Sequence, residues 1–161
     1  MIPSDHFVRF YNEVFKYLDD RNGLEEYYLH ISRHQEFHCL EEFRSRKLQG
    51  VYDYYVKIRK EENCGLNIEF CDGGLKLDMK RCPSLSKAID NDAGVCSKYC
   101  LHCPGWTMPV YTGAGLYNVS DLYALDEPRC TIWIFEDIES ARKKYEELVR
   151  NGSTDMIKKN F

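Results

Sequence analysis

The stretch LNIEFCDGGLKLDMK, residues 66–80, decides the fold class because its apolar side chains recur at every second position. These positions flank the tripeptide Asp72-Gly73-Gly74; they are Leu66, Ile68, Phe70, Leu75, Leu77 and Met79. Alternation of period two on both sides of a glycine turn is typical of a β-hairpin. We therefore expect two antiparallel strands here.

A second strand pair is predicted from Leu116 to Ala124 and from Cys130 to Phe135, with a turn at Asp126-Glu127-Pro128. The last strand is apolar on both faces, since Cys130, Ile132 and Ile134 alternate with Thr131, Trp133 and Phe135. Both faces of this strand should therefore be covered.

Helical periodicity surrounds the two hairpins. The predicted helices are one ending at Asp19–Gly23, then 24–48 with Gly50 as terminator, 51–62, 83–89 beginning at Pro83, 93–103 and 139–149. The predicted class is α+β in a single domain, residues 1–161, with N-terminal helices and two β-hairpins forming a small antiparallel sheet. Short Cys-rich helices lie between the hairpins, and a helix ends the chain.

Charge and hydropathy restrict the partners. The chain of 161 residues carries a formal charge of −4, with acidic and basic residues mixed along it. This pattern lacks a nucleic-acid footprint, and the N-terminal segment has no apolar run of signal-peptide or membrane-span length. We expect a cytoplasmic protein that binds a small-molecule ligand and neither nucleic acid nor a membrane; the sequence does not predict the oligomeric state.

Eight cysteines carry the chemical signal. In a reducing compartment clustered thiols indicate metal binding or catalysis more than disulfides. In the run CSKYCLHC, residues 96–103, a helix would place Cys96, Cys100 and Cys103 on one face. With Cys82 they form a candidate ligand set for zinc or an iron–sulfur cluster, and His102 is a spare donor. The alternative is that these thiols are buried packing, with no cofactor.

Cys82 is the candidate catalytic thiol, because it precedes Pro83 at a predicted helix start, where backbone N–H groups favour a thiolate. Arg81 adds positive charge beside it and is a candidate substrate-binding residue. Trp106 and Tyr111, in a segment rich in Pro and Gly, are candidate walls of an apolar pocket.

Three histidines, His30, His34 and His38, repeat every four residues on the predicted second helix. An i, i+4 pair can chelate a metal, but the third side chain has turned about 80° away from the first. A solvated polar stripe is the favoured interpretation.

The order RCPSLSKAI, a Cys-rich segment and RCTIWIFED resembles the L-2-amino-thiazoline-4-carboxylic acid hydrolase family. In that resemblance Cys82-Pro83, then Cys96 or Cys100, and finally Cys130 match the family's cysteine positions. Additional thiols at Cys100 and Cys103 depart from its pattern. The element order also resembles the ligand-binding domains of the vinyl-reductase and TRAPP type.

The hydrolase resemblance implies ring opening by water attack on the C=N carbon of a small cyclic amidine-like compound, with cleavage of a carbon–nitrogen or carbon–sulfur bond. Cys82 would then be nucleophile or ligand. The vinyl-reductase and TRAPP resemblance implies instead a non-catalytic module that binds a ligand or a Cys-coordinated metal. Both functions stay open at the level of sequence.

Overall fold

The computed structural model describes residues 5–34, 36–90, 94–152 and 156–161. The helices and strands follow in this order: α1 (Asp5–Asp19), α2 (Leu24–Ser32), a π-helical turn (Glu36–Leu40), α3 (Glu41–Glu62), β1 (Gly65–Cys71), β2 (Gly74–Arg81), α4 (Pro83–Ile89), a 3₁₀ turn (Tyr99–Leu101), α5 (His102–Gly113), β3 (Tyr117–Asp121), β4 (Cys130–Phe135), α6 (Ile138–Arg150) and β5 (Ile157–Lys159). The α+β class is confirmed.

One antiparallel sheet contains all five described strands, in the order β1-β2-β4-β3-β5. The register pairs Leu77 of β2 with Ile132 of β4, and Ser120 of β3 with the same Ile132 from the other side. Strand β2 of the first hairpin therefore pairs with β4 of the second, and the short strand β5 forms one edge of the sheet.

Apolar side chains form three clusters. On one face of the sheet, α3 and α5 pack over Leu75, Leu77 and Ile134. On the other face, α6 covers Val119, Trp133 and Phe135 of β3 and β4. The third cluster joins α1, α2 and α4 to the segment 95–101 at one end of the molecule; its fully buried members are Val8, Phe15, Leu24, Tyr28, Leu85, Ala88, Cys96 and Tyr99. The prediction that both faces of β4 are covered is confirmed.

Two helix predictions were wrong. The expected helix 24–48 ends already at Ser32, and α3 continues through Gly50 to Glu62 with a kink at Lys47, where φ is 51° and ψ is −133°. Gly50 is not a terminator. A Cβ atom there would lie 2.6 Å from the carbonyl oxygen of Glu42, so the glycine lets the two halves of the kinked helix approach.

The Cys-rich helix expected at 93–103 was also wrong. Ala93 lies outside the described residues; Cys96 lies in irregular chain, Cys100 in the 3₁₀ turn, and Cys103 is the second residue of α5. Pro104 falls in the first turn of α5, where no intrahelical N–H is required, and so does not stop the helix. The three thiols consequently do not share one helical face.

Among the described helices, none combines the length and the apolar character that a membrane crossing requires.

Candidate functional site

A pocket of about 550 Å³ opens between α1, α2, the start of α4 and the start of α5. Its lining is mostly aromatic and aliphatic and includes the polar side chains of Ser84 and His102 and the Cys103 thiol; the lining residues are Val8, Tyr11, Phe15, Tyr27, Ile31, Ser84, Tyr99, His102, Cys103 and Trp106. This volume and composition fit a small organic ligand.

Cys103 and His102 form a hydrogen-bonded pair in the wall of this pocket. The Cys103 Sγ atom lies 3.3 Å from His102 Nε2, and His102 Nδ1 lies 2.5 Å from the carbonyl oxygen of Tyr99. A carbonyl oxygen can only accept a hydrogen bond, so His102 Nδ1 carries a hydrogen and donates a hydrogen bond to the Tyr99 carbonyl. In the neutral imidazole Nε2 is then the acceptor, and the Cys103 thiol donates to it. The sequence indicated His102 only as a spare metal donor.

Packing holds the imidazole in this orientation. The His102 ring lies 5.2 Å from the Tyr99 ring in an edge-on arrangement and 5.7 Å from the Phe15 ring, measured between centroids. Nucleophile, base and a third group that orients the base are the parts that thiol catalysis requires. The adjacent His102-Cys103 dipeptide was the only sequence signal for this pair.

Burial keeps both groups neutral at rest. It raises the pKa of the Cys103 thiol to about 11 and lowers the pKa of His102 below its ordinary value of 6.5, against the raising effect of the Tyr99 carbonyl. A thiolate–imidazolium ion pair is therefore disfavoured at this position. The pair suits proton transfer to His102 during the attack on a substrate, as in hydroxyl-based nucleophiles.

A pair of hydroxyl groups lies in the same lining. The Ser84 Oγ and Tyr99 Oη atoms are 2.6 Å apart. Ser84 is the second residue of α4, directly after Pro83, and Tyr99 belongs to the 3₁₀ turn. Tyr99 thus contacts Ser84 through its hydroxyl and His102 through its backbone carbonyl. Neither contact is visible in the spacing of the sequence.

The structure groups the thiols differently from the predicted ligand set. Burial is the main cause that raises the pKa of Cys82, Cys100 and Cys130, and a charge on Cys103 reinforces it in all three. Cys96 is buried beside α1, where besides burial the charges that act on its thiol belong to Asp19, Lys16 and Lys98. Cys130, from the late strand, thus acts on the same thiols, whereas Cys96 is buried in the third cluster, against which Cys82 and Cys100 also pack.

Cys82 occupies the N-cap position of α4, where its sulfur accepts a hydrogen bond from Leu85 N over 3.4 Å. Its own N–H donates to the carbonyl of Pro128 over 2.5 Å. The expected thiolate is not favoured there: burial raises the pKa of Cys82, and the N–H groups of Leu85 and Ser84 offset this only in part.

A metal site was expected at Cys82, Cys96, Cys100 and Cys103. In the part of the chain that the structure describes, no group of three or more His, Cys, Asp or Glu side chains is arranged to hold a metal ion. All eight cysteines are free thiols. The zinc or iron–sulfur centre stays a prediction.

The candidate substrate-binding residues separate in space. Trp106 lines the pocket. Tyr111 is fully buried in the core under the sheet, where its hydroxyl lies 2.8 Å from that of Tyr55. Arg81 is exposed at the end of β2.

The three histidines of the predicted stripe are exposed and do not share one helix. His30 lies 3.5 Å from Glu26 on α2, whereas His34 follows the end of that helix. His38 lies in the π-helical turn, with Nε2 3.0 Å from the Tyr54 hydroxyl. The exposure agrees with the solvated interpretation.

Asn12 of α1, fully buried, fixes the chain that leads into the site. Its amide donates to the carbonyl of Gly94 over 2.7 Å and accepts from Cys96 N over 2.9 Å. A buried asparagine that satisfies two backbone groups of an irregular segment replaces the hydrogen bonds that a helix would have supplied. Its position on an apolar helix face, between Val8 and Phe15, was the signal that sequence reasoning missed.

Comparison of the chain with protein-family models, with curated proteins and with solved structures finds no match in any of the three.

Proposed function

We propose that the protein is a small-molecule hydrolase that attacks a trigonal C=N or C=O carbon with the Cys103 thiol. The observation that carries this proposal is the ordered chain from Cys103 Sγ to His102 Nε2 and from His102 Nδ1 to the Tyr99 carbonyl, in the wall of a pocket of about 550 Å³. A buried thiol that served only packing would need neither an oriented base nor access to a cavity.

In the proposed reaction His102 Nε2 takes the thiol proton as Cys103 Sγ bonds to the substrate carbon. His102 then returns that proton to the departing sulfur, nitrogen or oxygen as its bond to carbon breaks. Water next attacks the S-linked intermediate, His102 accepts a proton from it, and release of the product restores the Cys103 thiol. The net reaction consumes one water and needs no oxidant or reductant.

For a 2-aminothiazoline ring, which the family resemblance implies, cleavage of the ring C–S bond would leave a ureido group and a free thiol. Cys103 replaces Cys82 as the proposed nucleophile because Cys103 lines the pocket and is paired with a base. Cys82, whose sulfur accepts a hydrogen bond from Leu85 N at the cap of α4, is the competing assignment, which turnover that survives in Cys103→Ala and is lost in Cys82→Ala would favour.

The test measures turnover of two substrates, 2-aminothiazoline-4-carboxylate by thiol release and phenyl acetate by phenol release. We expect turnover of phenyl acetate, since the described pocket lining holds no cation that would pair with a carboxylate, and a loss of about 10³-fold or more in Cys103→Ala. Cys71→Ala is the matched control, because Cys71 is a half-buried thiol that packs on the apolar cluster beneath α6, outside the pocket lining. Absence of turnover with both substrates, or full activity in Cys103→Ala, would overturn the proposal.

A non-catalytic module with a Cys-bound metal is the second candidate. The observation that favours it is that charges on Cys82, Cys100 and Cys103 act on Cys130, and thiolate is the donor type of zinc and iron–sulfur centres; a metal would have to draw these thiols together, since they are not arranged to hold an ion in the described residues. Elemental analysis of anaerobically purified protein tests it. Stoichiometric zinc or iron that is lost in Cys130→Ala supports this candidate, and a metal-free native protein removes it.

A further inference from the structure

We propose that Ser84 is a second catalytic residue, which donates a hydrogen bond to the substrate oxygen or nitrogen on which negative charge develops, and that the substrate is uncharged. This inference rests on the proposed hydrolase function and deepens it. It assigns a role to the hydroxyl pair and a chemical class to the substrate: a neutral ester, thioester, amide or imine with an apolar body.

The first step concerns the hydrogens of the pair. Ser84 and Tyr99 have one hydroxyl hydrogen each, and their contact of 2.6 Å uses only one of them. A phenol is the stronger donor and an aliphatic hydroxyl the better acceptor, so the favoured arrangement has Tyr99 donating to Ser84. The Ser84 hydrogen then remains available to a ligand, and donation from Tyr99 strengthens it as a donor.

Ser84 lies in the same pocket lining as the Cys103–His102 pair. Ser84, Tyr99, His102 and Cys103 line the same pocket, and Tyr99 is linked directly to both Ser84 and His102. Ser84 is partly exposed, whereas Tyr99 is 1% exposed and serves as a positioning residue behind it. Fixed donors aimed at the atom that becomes negative are a main source of catalysis in acyl transfer. Nucleophile, base and donor are thus present in one lining.

The charge of the pocket lining indicates the class of substrate. The described lining residues include no Asp, Glu, Lys or Arg, and the two hydrogen bonds of His102, donated from Nδ1 and accepted at Nε2, are those of a neutral ring. Transfer of a charged group from water into such a pocket is unfavourable without a partner. Arg81, the cationic candidate for substrate binding, is exposed at the end of β2 and is not part of this lining. The pocket therefore selects neutral substrates over their carboxylated analogues.

The experiment compares phenyl acetate with 4-carboxyphenyl acetate, which differ only in one carboxylate remote from the ester. For the native protein we expect kcat/KM at least about 10-fold higher for the neutral ester, although the carboxylated phenol is the better leaving group. Ser84→Ala should lower kcat for phenyl acetate about 10²-fold with little change in KM, as expected for a contact made in the transition state.

Ser84→Thr keeps the hydroxyl and should recover most of kcat, which a purely structural role would not predict. Tyr99→Phe should lower kcat by a smaller factor than Ser84→Ala. Ser86→Ala is the control on the same helix, because the Ser86 Oγ is buried without a hydrogen-bond partner among the described residues. Its kcat should equal that of the native protein.

The outcomes distinguish the two proposals. Full kcat in Ser84→Ala, or equal kcat/KM for the two esters, together with inactivity of Cys103→Ala, overturns this inference and leaves the hydrolase intact. Activity that survives in Cys103→Ala overturns the hydrolase proposal and this inference with it.

Discussion

At the scale of single residues, the Cys103–His102 pair leads us to predict how the alkylation rate of Cys103 depends on pH. Because burial raises the pKa of Cys103 to about 11, alkylation of this thiol by iodoacetamide should be slow at neutral pH and should accelerate toward pH 11. Peptide mapping of protein alkylated at a series of pH values measures this rate. A rate that is already maximal below pH 7 would show a thiolate–imidazolium pair instead.

The rate of hydrolysis should depend on pH in a lower range than the rate of alkylation. His102 acts as a base only when neutral, and its pKa lies below the ordinary 6.5. The kcat for phenyl acetate should therefore remain constant as the pH falls to 6.5 and decrease only on further acidification. A midpoint above pH 6.5 for the acid limb would contradict the assignment of His102.

Asn12 has a structural effect that can be measured without a substrate. Asn12→Ala leaves Gly94 O and Cys96 N without their partner, and we expect the free energy of unfolding to fall by about 1–3 kcal/mol. Denaturant unfolding measures this loss. Asn67→Ala, at an exposed position of β1, is the control and should stay within about 0.5 kcal/mol of the native protein. Equal stability of both variants would remove the structural role of Asn12.

At the scale of elements, the kink of α3 depends on Gly50. Its absent side chain leaves room for the carbonyl oxygen of Glu42, which a Cβ atom would approach to 2.6 Å. Gly50→Ala should lower the free energy of unfolding by about 1–3 kcal/mol. Gly65→Ala, whose added Cβ would lie 3.7 Å from the nearest atom, is the control. A stabilised Gly50→Ala variant would show that the helix straightens at no cost.

The same scale shows what the sequence could predict. The period-two pattern around Gly73 and the Pro83 start predict β1, β2 and α4 closely, since local patterns determine these elements. Strand β5 has only three residues, too few to show a period. The start of α5 was not predicted because a proline breaks the interior of a helix but is tolerated in its first turn, where Pro104 lies.

At the scale of the whole molecule, the many buried thiols and phenols predict alkaline instability. Burial raises the pKa of Cys39 to about 11, of Cys100 to about 12 and of Tyr99 to about 12. Groups with a raised pKa stabilise the fold below their unfolded value, and this contribution decreases as the pH rises above it. The free energy of unfolding should fall steeply above about pH 9 in denaturant titrations. Constant stability from pH 8 to 10.5 would contradict this burial.

The site itself depends on long-range packing and therefore could not be predicted from spacing. Residues of α1 and α2 reach Tyr99 and His102 only because the third cluster folds the N-terminal helices against segment 95–101. The spacing of the cysteines predicted a set with Cys96 as a member, and it could not show that a charge on Cys130 would interact with Cys82, Cys100 and Cys103 instead. The sequence shows which residue types are present, but it does not show towards which neighbours their side chains point.

The central claim is that Cys103 forms the covalent intermediate. The most direct measurement is acid quenching of the native protein during turnover of phenyl acetate, followed by mass spectrometry of the digested chain. The account predicts an acetyl group on the peptide that contains Cys103, assigned to its sulfur and absent from Cys103→Ala. An acetyl group on Cys82 instead, or an unmodified Cys103 throughout measurable turnover, would contradict it.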